Sequence, residues 1–157
     1  MLQTDEVILN ILQDAKNNGN ELLSHFKLGF PSKQIAKETN SIFIASVDSE
    51  SYKEGTEYSQ FQDMVEILVV TKNRNYRESI DIIKVTCREI IRLIYQNRDR
   101  FPNKPVVRNV TPDYNSDFVL NRGHIMVQVV TEPFNFEYDE EEVSRVCEIL
   151  VNDIIIE

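Results

Sequence analysis

The sequence predicts an α+β fold: one mostly antiparallel sheet, packed by a long central helix and by helices near the N- and C-terminal ends. Three observations carry that expectation. Two β-rich runs, Ser41 to Val47 and Met64 to Val70, follow each other with no helical pattern between them. Apolar residues then recur at three- and four-residue steps from Ile80 to Ile94, the period of one helix face. Beyond that, strict alternation returns from His124 to Thr131, the period of a half-buried strand. A doubly wound parallel fold would alternate strand and helix throughout, and this order does not.

Taken in turn, Thr4 is placed to cap a first helix, with Asp5 and Glu6 near its positive end and Val7, Ile8, Ile11, Leu12 and Ala15 on one face. Asn17 to Asn20, with Gly19, stop it, and Glu21 to Phe26 suits a further turn. Lys27 to Asn40 is irregular, punctuated by Gly29 and Pro31. Ser41 to Val47 is apolar on both faces, as a central strand should be. Asp48 to Gln60 is polar with no apolar period, and it is expected to be a long, functional or mobile loop. Met64 to Val70 should pair antiparallel with Ser41 to Val47.

Asn75 and Glu78 have the spacing of a capping box, and Ile80, Ile83, Cys87, Ile90, Ile91 and Ile94 form the stripe of a long helix laid on the sheet. Pro102 and Pro105 end it. Val106 to Val110 and Asp117 to Leu120 suit short strands around a turn at Pro112 to Asp117. Ile125, Val127 and Val129 mark the buried side of the next strand. Asp139 is placed to cap a last helix whose first turn holds Glu140, Glu141 and Glu142, with Val143, Val146, Cys147, Leu150 and Val151 as its apolar face.

The 157 residues fit one domain with one core. At 41% hydrophobic and 27% charged, the chain is too apolar to stay disordered. No apolar run approaches the roughly 20 residues that cross a bilayer, and acids stand where a signal peptide carries bases, which predicts a cytosolic product without a membrane partner. Cys87 and Cys147 both fall in apolar helical patterns and are expected as buried free thiols.

The net charge of −9 is unevenly placed. Glu132 to Glu157 holds nine acids and one base, Arg145, whereas Lys72 to Arg108 holds ten bases and four acids. On the long helix Arg77, Asp81, Lys84, Arg88 and Arg92 fall along one side, while Ile82 and Val85 lie outside its core stripe, on the side expected to meet water. With that overall charge and few aromatics nearby, no specific grip on nucleic acid is expected.

Catalytic and cofactor chemistry finds little footing. The four glycines are scattered, so no phosphate-cradling loop is formed. His25 and His124 have no second ligand at a zinc spacing. Three successive helix positions, Glu140 to Glu142, point in different directions and suit a helix start better than a metal. Asp48, Glu50, Glu54 and Glu57 lack the order of a tight calcium loop. Glu66 and Lys72, the pair a metal-dependent nuclease would need close together, fall roughly 20 Å apart along a strand. No catalytic residue, metal or cofactor is therefore assigned, and the expected role is not enzymatic.

The layout of short helix, strand, polar segment, the strand Asp63-Met64-Val65-Glu66-Ile67-Leu68-Val69-Val70, long helix, Asp113-Tyr114 turn and Arg122-Gly123-His124-Ile125 strand resembles the tail-terminator and tail-completion proteins of long-tailed phages. The resemblance covers Met1 to about Thr131. It implies an α/β subunit that forms a ring, usually a hexamer, on the last ring of the tail tube, with the tail tube protein on one side and the head-tail connector or neck protein on the other. It also implies assembly in the host cytoplasm followed by residence in the virion. The acidic segment from Glu132 extends beyond the shared layout.

On this reading the basic middle and the acidic end meet head to tail between neighbours, which places Arg77, Arg88, Arg92, Glu140, Glu141 and Glu142 at the contact, with Ile82 and Val85 as its apolar part. Tyr52 and Tyr58 are the expected anchors of the 48–60 segment on the tube or neck. Two rival readings are a small cytosolic ferredoxin-like interaction or ligand-sensing domain, and a metal-dependent nuclease or toxin-like enzyme.

Overall fold

The computed structural model describes residues 3–31, 40–54, 58–71, 73, 75–102, 104–113, 121–130, 134–135 and 140–155; within these, side chains are not described for 47–54, 58–62, 108–113, 121–130, 134–135, 142 and 153–155. The elements are α1 (Thr4–Asn17), a 3-10 turn (Leu23–His25), β1 (Lys27–Gly29), β2 (Ser41–Glu54), β3 (Tyr58–Thr71), α2 (Tyr76–Gln96), a second 3-10 turn (Arg98–Arg100), β4 (Val106–Asp113), β5 (Asn121–Val130), β6 (Phe134–Asn135) and α3 (Glu140–Ile155). The class is α+β, as the sequence predicts, with a mostly antiparallel sheet and a long central helix.

The strands lie in the order β1-β2-β3-β5-β4, with β6 added against the far end of β3. Among the described residues the one parallel pair is the short β1 on β2, and the other pairings are antiparallel. Ile42 is set opposite Val69 and Ile44 opposite Ile67, while β3 places Ile67 opposite Ile125 and Val65 opposite Val127. Residues alternate across the sheet, so Ile42, Ile44, Val65, Ile67 and Val69 share a face. All five are fully buried in one core with Val7, Ile8, Ile11 and Leu12 of α1 and Ile83, Ile90 and Ile94 of α2. Each fully buried Ile or Leu contributes roughly 1.5–3 kcal/mol of transfer free energy, which is why this face sets the register.

Both helices lie on that face, α1 over β1 and β2, and α2 over β3, β5 and β4. Polar contacts fix their placement. Asn20 Nδ2 donates to Glu89 Oε1 at 3.0 Å, joining the turn after α1 to α2. Lys16 Nζ donates to the Phe26 carbonyl at 2.9 Å, and Arg100 pairs with Asp14 at 3.1 Å. Gly19 turns the chain out of α1 with φ +92°, a conformation that L side chains rarely adopt.

Several local expectations are corrected. Gln3, not Thr4, occupies the N-cap of α1; the Thr4 hydroxyl instead donates to Asp63 Oδ2 at 3.0 Å, linking the helix start to β3. Lys27–Gly29, within the stretch expected to be irregular, is a strand, because backbone pairing with Ser41–Phe43 does not require an apolar period. Pro112 and Asp113, expected in a turn, belong to β4 opposite Gly123 and Arg122. β4 lies at the end of the strand order, and an edge strand tolerates a proline's missing N–H. Asp117 to Leu120 and Asp139 lie outside the described residues.

The capping expectation at α2 holds in half. Asn75 Oδ1 accepts from the Glu78 backbone N–H at 3.1 Å. The return bond is made by a different residue: the Asn75 N–H donates to Asn73 Oδ1 at 2.8 Å, and Asn73 Nδ2 donates to Glu78 Oε2 at 2.9 Å.

The largest correction concerns 48–60. Asp48–Glu54 and Tyr58–Gln60 are strand, paired from Asp48 opposite Met64 to Glu54 opposite Ser59, with irregularities between Ser46 and Asp48 and between Ser51 and Lys53. The expected loop is a two-stranded ribbon. An apolar period is needed only where a strand face is packed, and a ribbon held by backbone hydrogen bonds can be polar on both sides.

Candidate protein-interaction surface

The exposed side of α2 carries the expected charged row: Arg77, Asp81, Lys84, Arg88 and Arg92 all face water. They are not equivalent. Arg92 is held by its own helix, with Nε donating to Glu89 Oε2 at 3.0 Å and Nη1 to Gln96 Oε1 at 3.0 Å, and with an ion pair to Glu89. The Arg92 guanidinium holds the Glu89 carboxyl below its ordinary range. Arg77, Lys84 and Arg88 make no ion pair among the described residues. Arg92 thus shares its charge with Glu89, whereas Arg88 has no ion-pair partner among the described residues.

Val85 is exposed, at 52% of its surface, as its position predicts. Ile82 is not: it is half-buried and packs against the core cluster. Along the opposite flank run Lys84, Arg88, Ile91 and Tyr95, at steps of four, three and four residues, which aligns them on one side of a helix. The Tyr95 hydroxyl accepts from the Val107 backbone N–H at 3.2 Å, so this flank meets the edge strand β4. Ile91, Tyr95 and Val107 are half-buried there, and Lys84, Arg88 and Lys104 are exposed. Sequence reasoning missed this strip; the 84-88-91-95 spacing was the available signal, but only the bond to Val107 reveals that β4 completes it.

α3 begins with Glu140 and Glu141 exposed, as a helix start favours; the side chain of Glu142 lies outside the described ones. Its apolar face departs from the usual fate of such a stripe. Val143, Val146, Ile149, Leu150 and Val151 are 37–56% exposed. Sixteen residues with this period form the helix, and the described residues of its apolar side stay exposed.

Cys147 lies on this same helix and is exposed, which corrects the expectation of two buried thiols. Cys87 is buried in the core, and burial pushes its thiol up to about 11. At pH 8 a thiol-exchange reagent should therefore titrate one cysteine per folded chain, Cys147, and reach Cys87 only on unfolding. Equal rates for both in the folded protein would contradict this placement. Because the folded-state value is the higher one, Cys87's contribution to stability is intact below the ordinary pKa of 9.0 and is lost as pH rises from there through about 11.

Tyr52 and Tyr58 fall on the ribbon rather than in a loop, Tyr58 opposite Asn135 of β6; their side chains lie outside the described ones. Among the described residues, no three His, Cys, Asp or Glu side chains are grouped to hold a metal ion, and no helix is long and apolar enough to cross a membrane. No protein-family model matches the chain, and no curated protein matches it.

Proposed function

We propose that this chain is a structural subunit of a tailed-phage particle, a ring-forming tail-terminator or tail-completion protein that caps the tail tube and joins it to the head. The observation that carries the reading is the exposed apolar face of α3. A helix of this length is marginal alone in water, and in proteins such helices are stabilised mainly by packing of the apolar face. A chain that keeps one unpacked is built to meet another chain. The polar β2–β3 ribbon supports the same reading, since it extends the sheet beyond the helix-covered core and offers a surface for a second partner.

The specific assignment rests on the resemblance of the layout up to about Thr131, a leading helix, two strands flanking a polar segment and a long helix, whereas the acidic α3 lies beyond that layout. In this role the chain transforms no small molecule. Its work is shape and charge complementarity, with copies of itself, with the tail tube and with the neck. Labelling purified particles with an antibody to the chain should place it at the head-tail junction, in a small fixed number of copies. Its absence from particles, or a uniform distribution along the tail, would refute the proposal.

A further inference from the structure

We infer that α3 of one copy seats on the flank between α2 and β4 of the next copy, a head-to-tail contact between identical chains. The inference deepens the reading of the chain as an assembly subunit and rests on it. The two surfaces are complementary in apolar character and in charge. α3 offers Val143, Val146 and Leu150 in a row, with Glu140, Glu141 and Glu148 exposed on the same helix against one base, Arg145. The flank offers a half-buried apolar strip, Ile91, Tyr95 and Val107, edged by the exposed cations Lys84 and Arg88 with Lys104 just before β4, none of which forms an ion pair among the described residues.

The occupant is a second copy for two reasons. The chain leaves its own α3 exposed, so the helix does not cover its own flank. Pairing α3 with another α3 would bring two acidic helices together, where like charges oppose the apolar gain. Docking on the basic flank lets the apolar stripe meet Ile91, Tyr95 and Val107 while the aliphatic stems of Lys84 and Arg88 cover its border. Donor and acceptor surfaces differ, so every copy carries one of each, and the contact propagates until it closes into a ring.

The test uses the full chain and its native exposed thiol. In Lys84→Cys, mild oxidation should join the new cysteine to Cys147 of a neighbour and give a ladder of dimers and higher species on a non-reducing gel. A companion pair, Lys84→Glu with Arg88→Glu, should weaken self-association by about tenfold or more at moderate salt, with recovery when Glu140→Lys and Glu141→Lys are added. Closed dimers through Cys147 alone in the unsubstituted chain would mean α3 pairs with α3, and a fast-migrating monomer in Lys84→Cys would mean that it folds back; either result overturns the inference. So does the lack of any ladder, or a charge swap that fails to restore association. A chain found at the head-tail junction without the ladder would leave the proposed function standing and remove only this contact. A ladder from a chain absent from particles would do the reverse.

Discussion

Ile67→Ala is expected to destabilise the protein by about 3–4 kcal/mol, near the upper part of the range for truncating a fully buried isoleucine. Ile67 sits at the middle of β3, which is itself central, between Ile44 of β2 and Ile125 of β5 in register. Its side chain is completely buried in the cluster that α1 and α2 close from above. The cavity would be bounded by strands tied on both sides, so little collapse is available, and the cost includes the void as well as the lost transfer free energy. For a chain of this size the melting temperature should drop by roughly 10 °C. Val85→Ala is the control: its side chain is exposed on α2, and the change should stay within about 0.5 kcal/mol. A loss below about 1 kcal/mol for Ile67→Ala would contradict the packing described.

Trimming the ribbon should have the opposite profile, with a small effect on stability and a large one on assembly. Ser51 and Phe61 are register partners, so residues 52–60 can be replaced by Asn-Gly, the two-residue turn whose twist suits a hairpin. The described core on these strands begins at Ile44 and Val65, inside the cut, and the Thr4–Asp63 hydrogen bond is retained. The melting temperature should therefore move by only a few degrees. The cut removes Tyr52 and Tyr58, together with the β3 segment that β6 pairs with. If the ribbon docks on the tube or neck, as the proposed role requires, joining of tails to heads should fall by more than about tenfold, equivalent to over ~1.4 kcal/mol of lost contact. Normal particles from the trimmed chain would exclude the ribbon from docking, whereas a melting shift above about 10 °C would show that it belongs to the folding core.

What could be seen in the residues themselves was whatever obeys a short period. The 3.6-residue recurrence from Ile80 to Ile94 forms α2 as expected, and the β-branched runs at 41–47 and 64–70 form paired strands in the register that buries Ile42, Ile44, Ile67 and Val69 together. Those features are local because burial on one face imposes the period directly. The charged row on α2 was visible for the same reason. Where the period disappears, the prediction fails: polar 48–60 gave no sign that its backbone is paired, and β1 at Lys27–Gly29 is too short to carry an alternation.

The sequence by itself determined the class, the long helix, the main strand pair and the separation of a basic middle from an acidic end, because hydrophobic period and charge are properties of neighbouring residues. Tertiary structure alone decided how the charges are engaged: Arg92 pairs with Glu89, while Arg88 has no ion-pair partner among the described residues. It also decided that Ile82 faces the core while Val85 faces water, and that α3 leaves its apolar side exposed. An amphipathic pattern reports that a face needs covering. What covers it depends on where the rest of the chain has been placed, and that is settled only by packing between segments far apart in sequence.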